Sequence, residues 1–244
     1  LDSNIATVNL TVGSVNDALE GSNNTVTTLE DTPYVFQLPD FGYSDVNDLV
    51  GAQASRLQAD GTSAIQWDNF TVVTIGSLPQ AGNLTLNGLA VAAGQSISAV
   101  DIAAGLLAFA PAANANGASY ASFTFQVQDD GGTANGGVDI DQSARTMSIA
   151  VTAVNDAPVA VDMQAATLED TPLTLNLLAN VIDIDSAALT PIIIAGPQHG
   201  QLLYNADGSF NYVADLDYFG TDSFTYKVVD GDLANGGLES NIVT

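Results

Sequence analysis

Apolar and polar residues alternate along short runs of this chain, and Gly, Asn, Asp and Pro separate the runs. In the first run, Ile5-Ala-Thr-Val-Asn-Leu-Thr-Val12, the apolar side chains fall on every second position, so one face of a strand is buried. The same reading predicts strands at 34–38, 70–75, 83–86, 89–92, 107–111, 123–128 and 146–152 in the first part of the chain. In the second part it predicts strands at 172–177, 189–195, 201–204, 209–213 and 222–229. Asn87-Gly88 and Asn205-Ala-Asp-Gly208 are hairpin turns between neighbouring runs. The period that marks a helix is nearly absent, and one short helical turn is expected near 100–104. Many short strands punctuated by turns predict an all-β fold of mostly antiparallel, Greek-key β-sandwiches.

The runs repeat. Val154-Asn155-Asp156-Ala157-Pro158 has a near copy in Val15-Asn16-Asp17-Ala18. At the same distance after each copy comes an identical hexapeptide, Thr28-Leu-Glu-Asp-Thr-Pro33 and Thr167-Leu-Glu-Asp-Thr-Pro172. Phe123-Thr-Phe-Gln-Val-Gln-Asp129 parallels Phe224-Thr-Tyr-Lys-Val-Val-Asp230, and Ala-Asn-Gly-Gly follows both (134–137 and 234–237). Identity at fixed offsets is the mark of tandem units. The organisation expected is a closing strand of a preceding repeat plus linker in 1–17, then two sandwiches at 18–156 and 157–244. The first copy is the longer, with its excess mostly between Asp48 and Leu107, and this excess is expected to decorate the same sandwich. Leu1-Asp-Ser-Asn-Ile-Ala-Thr7 resembles Leu238-Glu-Ser-Asn-Ile-Val-Thr244, so the chain reads as a window on a longer array with its last strand cut short. An orphan strand and an open edge of this kind predict head-to-tail strand exchange between molecules.

Composition narrows the function. Of 244 residues, 28 are acidic and three basic, for a net charge of −25, while 46% are hydrophobic. That is enough apolar residue for packed cores. Arg56, Arg145 and Lys227 are too few for nucleic-acid binding or for attachment to an anionic membrane surface. No apolar run is long enough to span a bilayer, and no Cys is present for disulfides or thiolate metal sites. Packed carboxylates repel one another, and divalent cations remove that penalty; the same acidity also serves solubility.

The acidic residues cluster in Glu30-Asp31, Asp45-Val-Asn47-Asp48, Asp129-Asp130, Asp139-Ile-Asp141, Asn155-Asp156, Glu169-Asp170, Asp183-Ile-Asp185 and Asp230-Gly-Asp232. Residues i and i+2 of an extended segment point the same way, so Asp183 and Asp185 are placed to offer two carboxylates to one ion. An all-oxygen donor set favours Ca²⁺. The alternative is a polar turn between domains.

With its Asn-Asp-x-Pro junction, Leu-Glu-Asp-Thr start, Asp-x-Asp turn and Val-x-Asp-Gly strand end, the chain resembles the bacterial cadherin-like tandem repeats of large secreted, RTX-type adhesins exported by type I secretion. Phe210-Asn-Tyr212, Phe219-Gly220 and Asp222-Ser-Phe-Thr-Tyr226 fit the same pattern. The resemblance implies two Ig-like, cadherin-like sandwiches in a secreted or cell-surface extender region that serves adhesion and biofilm formation, with Ca²⁺ between consecutive repeats. By position, one ligand set comprises Glu30, Asn155, Asp156, Asp183, Asp185 and Asp230. Asn16, Asp17, Asp45, Asn47 and Asp129 form the matching set of the first domain, and Glu169 serves the next junction. The mid-domain acidic motif of animal cadherins and the glycine-rich nonapeptides of calcium β-rolls have no counterpart. Neighbouring repeats are the expected partners.

Enzymatic activity is not expected, because the acidic clusters follow the repeat boundaries, where a single active site would not be duplicated. His199 lies in a turn that leads into a strand and reads as a surface residue. Trp67 beside Asp68 and Asn69 is either an anchor of the longer first copy or a platform for a sugar ring. The second option gives the competing reading, a carbohydrate-binding module whose partner is a glycan.

Overall fold

The computed structural model of the chain describes residues 7–10, 15–44, 69–231 and 236–244. It divides into two compact units, Leu1–Ala153 and Val154–Thr244. Both are Ig-like β-sandwiches, with little helix among the described residues.

Unit one contains β1 (Asn24–Leu29), β2 (Tyr34–Val35), β3 (Val72–Ile75), β4 (Asn83–Leu86), β5 (Leu89–Ala90) and β6 (Ser96–Ser98). The helical turn α1 (Ala99–Ala103), β7 (Leu107–Ala110), β8 (Gly117–Gln128) and β9 (Arg145–Thr152) follow. One sheet has the order β1-β9-β8-β3-β6 and the other β2-β7-β4-β5. Alternation along the strands sets the core: Phe123, Phe125 and Val127 of β8 are buried, as are Met147, Ile149 and Val151 of β9. Phe36 meets Phe123 edge-on at 5.5 Å between ring centroids, and Phe41 meets Phe125 at 5.0 Å. Most pairings are antiparallel, but β1 runs parallel to β9, from Asn24 opposite Met147 to Leu29 opposite Thr152. This pairing carries the chain from one end of the unit to the other and runs into the first two residues of the identical hexapeptide.

Between β4 and β7, strand β5 joins the edge of the four-stranded sheet and β6 the edge of the five-stranded one. Ser98 caps α1 by accepting from the Asp101 backbone N–H at 3.0 Å, and Ile102 is buried. The described residues of this long connection therefore extend the sandwich. Residues 45–68, including Trp67, lie outside the described residues.

Unit two contains β10 (Val159–Ala160), β11 (Leu173–Leu175), β12 (Val181–Ile182), β13 (Leu189–Ala195), β14 (Gly200–Tyr204), β15 (Phe210–Ala214) and β16 (Thr225–Asp230). Its sheets are β11-β15-β14, β13-β16 and β10-β12. Residues 239–243 lie antiparallel beside β16, through Tyr226 opposite Val243 and Val229 opposite Glu239. Its core gathers Leu175, Leu177, Phe210, Tyr226, Val228 and Val243. The Tyr226 hydroxyl donates to the Leu177 carbonyl at 3.1 Å, and burial in the core raises its pKa. Residues 7–10, in the middle of the predicted Ile5-to-Val12 strand, carry no strand and are exposed. The rest of that run is outside the described residues.

Candidate metal centre

At the end where the chain enters unit two, three separate segments meet around carboxylates. Strand β16 ends at Asp230, whose carboxylate is buried. Asn155 Nδ2 donates to Asp230 Oδ2 at 2.8 Å, and the Leu238 backbone N–H donates to Oδ1. The turn after β12 starts at Asp183, whose Oδ1 accepts from the backbone N–H groups of Asp185 (2.9 Å) and Ser186 (2.6 Å). Asp185 Oδ2 in turn accepts from the Asp156 backbone N–H at 2.7 Å. The linker, the β12–β13 turn and the end of β16 are thereby tied together. Asp183-Ile-Asp185 is a side-chain-closed turn and not the extended segment the sequence predicts, so strand alternation does not orient its carboxylates. Asp183 Oδ2 is buried without a hydrogen-bond partner.

Unit one repeats this corner. Asn16 Nδ2 donates to Asp129 Oδ1 at 3.0 Å and to the Val138 carbonyl at 2.7 Å. Asp129, buried at the end of β8, also accepts from the backbone N–H groups of Leu19 (3.2 Å) and Gly131 (2.9 Å). Asp129 thus holds the place of Asp230, and Asn16 that of Asn155. Asn16 Oδ1 is buried without a hydrogen-bond partner. Asp17 follows on the linker, while Asp45 and Asn47 lie outside the described residues.

Glu30 stands at the far end of unit one from Asn16 and Asp129, because β1 runs the length of the sheet before it. It is buried, and its Oε2 accepts from Asn116 Nδ2 at 3.1 Å. Glu169, its counterpart in the second hexapeptide, is exposed. The two hexapeptides fold alike: Thr28 and Thr167 donate to the carbonyls of Thr32 and Thr171, and Asp31 and Asp170 take φ of 55° and 56°.

The donor chemistry of these corners is oxygen throughout. Among the described residues, no three Asp, Glu or His side chains converge into a ready cage. Calcium also accepts amide and backbone carbonyl oxygens, which such a grouping leaves aside. The two orphaned oxygens, Asn16 Oδ1 and Asp183 Oδ2, both belong to the expected ligand set. A buried polar atom without a partner calls for an explanation, and a bound ion is one that fits an oxygen donor.

Two other carboxylates have structural roles that the sequence does not announce. Asp141, grouped by sequence with the acidic clusters, accepts from Arg145 Nε at 2.7 Å, from Arg145 Nη2 at 3.2 Å and from the backbone N–H groups of Gly21 and Ser143. Burial pushes its carboxyl upward, but the Arg145 and backbone hydrogen bonds prevail and hold it below the usual range. Asp222 accepts from the backbone of Gln198, His199 and Ser223 and from the Tyr212 hydroxyl. Burial raises its carboxyl, and these bonds more than reverse the effect. Burial first, and then Asp222, pushes the Tyr212 hydroxyl up to about 12. The only earlier signals were the four-residue spacing to Arg145 and the repeated segment after Asp222. His199 is exposed in its turn and stacks on Tyr218 at 4.3 Å. Phe70 stacks on Tyr43 at 4.6 Å, whereas Trp67 is outside the described residues.

Sandwiches of short, mostly antiparallel strands, with a first strand parallel to the last in unit one, place the molecule in the Ig-like class, which includes many cell-surface domains. Residues 155–242, nearly all of unit two, match the family described as bacterial Ig domain. No curated protein matches the chain. Among solved structures, the protocadherin GammaB4 extracellular domain has a TM-score of 0.39 and 17% identity, over 95% of this chain and 35% of that one. Drosophila N-cadherin EC1-4 gives 0.27 and 10%, over 95% and 51%. An endo-fucoidan hydrolase of glycoside hydrolase family 107 gives 0.30 and 16%, over 93% and 28%. The chain spans about a third of the protocadherin and less of the hydrolase. Likenesses this distant do not speak to function.

Proposed function

We propose that the chain is a pair of calcium-binding structural repeats from the extender region of a bacterial extracellular adhesin. The observation that carries this reading is two buried, unpartnered oxygens, Asn16 Oδ1 in the unit-one corner and Asp183 Oδ2 in the unit-two corner. Asn155, Asp156, Asp183, Asp185 and Asp230 would hold an ion in unit two. Asn16, Asp17 and Asp129, with Asp45 and Asn47, would hold one in unit one. When bound, calcium supplies divalent charge that offsets the mutual repulsion of these carboxylates. The chain's own residues fix the corner: Asn155 orients Asp230, and the Asp156 backbone holds Asp185. Repeats tied in this way resist bending and hold a distal binding domain away from the cell surface.

Ions that bind only the folded state stabilise it by mass action. Adding Ca²⁺ to the chelator-treated chain therefore raises its melting temperature, read by calorimetry. Asp183→Ala with Asp185→Ala removes most of the rise. Asp207→Ala leaves it intact, since Asp207 only closes the β14–β15 hairpin through Ser209. Equal losses in both variants, or no rise in the unaltered chain, refute the assignment.

A further inference from the structure

Unit one closes one side of its sandwich with the connection between β4 and β7, and unit two leaves the same side open. In unit one, β5 lies on the outer edge of β4 and β6 on the outer edge of β3. Val91, Ile97 and Ile102 of this connection are buried in the core. In unit two a hairpin joins β14 directly to β15, and no segment stands in the place of β5, β6 and α1 among the described residues. The registers allow comparison residue by residue. Phe125 aligns with Tyr226, so Val73 and Ile75 of β3 correspond to Pro191 and Ile193 of β13. The hexapeptides align Tyr34 with Leu173, so Leu84 and Leu86 of β4 correspond to Leu202 and Tyr204 of β14. Val73 and Ile75 are fully buried and Leu84 nearly so, whereas Pro191, Ile193 and Leu202 are half-buried and Tyr204 is 69% exposed. The core of unit two therefore reaches solvent along β13 and β14.

The two open edges are not alike. Strand β13 contains Pro191 and shifts register between Ile193 and Ala195, and both features guard an edge against a further strand. Strand β14, Gly200-Gln-Leu-Leu-Tyr204, has no proline, bulge or charge. At its two ends the bonds run across to β15: the Asp215 N–H donates to the His199 carbonyl and the Asn205 N–H to the Ser209 carbonyl. Antiparallel alternation then turns the N–H and C=O of Gly200, Leu202 and Tyr204 to the outer edge. In unit one the carbonyl at the matching position, Leu84, accepts from the Val91 N–H just after β5 at 3.1 Å. We infer that β14 pairs with β14 of a second copy, antiparallel about a two-fold axis at Leu202. This register sets Leu202 opposite Leu202 of the second copy and Gly200 opposite its Tyr204, with the outward hydrogen-bonding groups facing one another. Main-chain bonds supply the affinity, as in other strand additions. Charge selects the occupant. The chain carries 28 acidic residues, so two copies repel over much of their surface. No Asp, Glu, Lys or Arg lies between Asp185 and Asp207, the stretch that holds both edges, so pairing here adds no like-charge contact from the strands themselves. A basic partner would be drawn to the carboxylates elsewhere. The contact is isologous and stops at the dimer. The inference goes beyond the calcium reading and does not rest on it.

Sedimentation velocity of the chelator-treated chain, over a wide concentration range, reads the association free of any calcium effect. The weight-average mass is expected to rise to that of the dimer and stop. Leu202→Pro removes an outward N–H from each copy and lowers the association constant by about tenfold or more, because both hydrogen bonds at the axis are lost. Circular dichroism checks the fold of this variant, and a cysteine pair tests the register independently of it. Gln201 falls opposite Leu203 of the second copy, and both side chains are exposed in the single molecule. The chain has no cysteine of its own, so Gln201→Cys chains mixed with Leu203→Cys chains report this contact alone. Under mild oxidation the mixture yields the mixed disulfide dimer well ahead of either chain by itself. A chain that stays monomeric, or a mass that climbs past the dimer, overturns the proposal. So does association that survives Leu202→Pro, or a cysteine mixture that cross-links no faster than the single variants.

Discussion

Asp141 holds a carboxylate at 2% exposure beside Arg145, and four hydrogen bonds converge on it. Hydrogen bonds to a charged group contribute more than neutral ones, so Asp141→Asn costs about 2–3 kcal/mol in a denaturant titration of unit one. The sign of its pH dependence follows from its depressed pKa. Its contribution is fully present above the unfolded value near 3.8 and is lost as pH falls through the folded value. The Asp141→Asn variant lacks that acid-side loss, and acid titration of the two proteins side by side measures the difference. A matching loss in both would place the acid sensitivity elsewhere. The residue was visible in the sequence as part of an acidic cluster, but its use was not. One Arg four positions away converts a cation-type pattern into an internal ion pair. Asn16 and Asn155 were legible for the opposite reason, since the repeat marks both and both meet the Asp that ends the matching strand.

Elements came through where the pattern was long or the turn chemistry strict. Strands β4 and β13 and the turn α1 lie where alternation and the short helical period place them. Asn87-Gly88 turns the β4–β5 hairpin with φ of 50° and 77°, the geometry its composition requires. Strands β6, β10 and β12 are only two or three residues long and offer alternation too little length to register. The Thr-rich β1 reads as polar until its parallel partner β9 gives it a place. Gly82 and Gly94 separate two costs that sequence alone cannot tell apart. Both take positive φ, 71° and 81°, but open space surrounds Gly94, whereas a Cβ on Gly82 would meet the Phe109 ring and come within 2.7 Å of the Ala110 carbonyl oxygen. Gly94→Ala should therefore cost about 1–2 kcal/mol for backbone strain. Gly82→Ala should cost that plus about 1–3 kcal/mol for overpacking. Chemical denaturation of both variants reads the gap, and equal costs would show that the Phe109 ring moves aside freely.

At the scale of the whole molecule, the repeat identity and the extreme charge were the strongest sequence signals. The repeat is realised as two sandwiches with the same corner and the same hexapeptide turn. The extra length between β4 and β7 was legible as an excess, but not that β5 and β6 would join opposite sheets, because that depends on edges only the folded sandwich provides. The 28 acidic residues face three cations, and the two among the described residues are each spent on an internal partner, Arg145 on Asp141 and Lys227 on Glu239. On the proposed reading, divalent cations offset the repulsion among the carboxylates at the chain-entrance corners. Monovalent salt relieves their repulsion only by screening, so sodium chloride should raise the melting temperature gradually and at far higher concentration than Ca²⁺.

Isothermal titration of Ca²⁺ into the chelator-treated chain tests the central claim most directly. The account predicts saturable binding at a dissociation constant of about 10⁻⁴–10⁻³ M, the range of extracellular calcium modules. It also predicts that Asp183→Ala with Asp185→Ala removes the heat assigned to unit two, while Asp207→Ala retains it. A titration with no saturable heat, or one in which these variants behave alike, would contradict it.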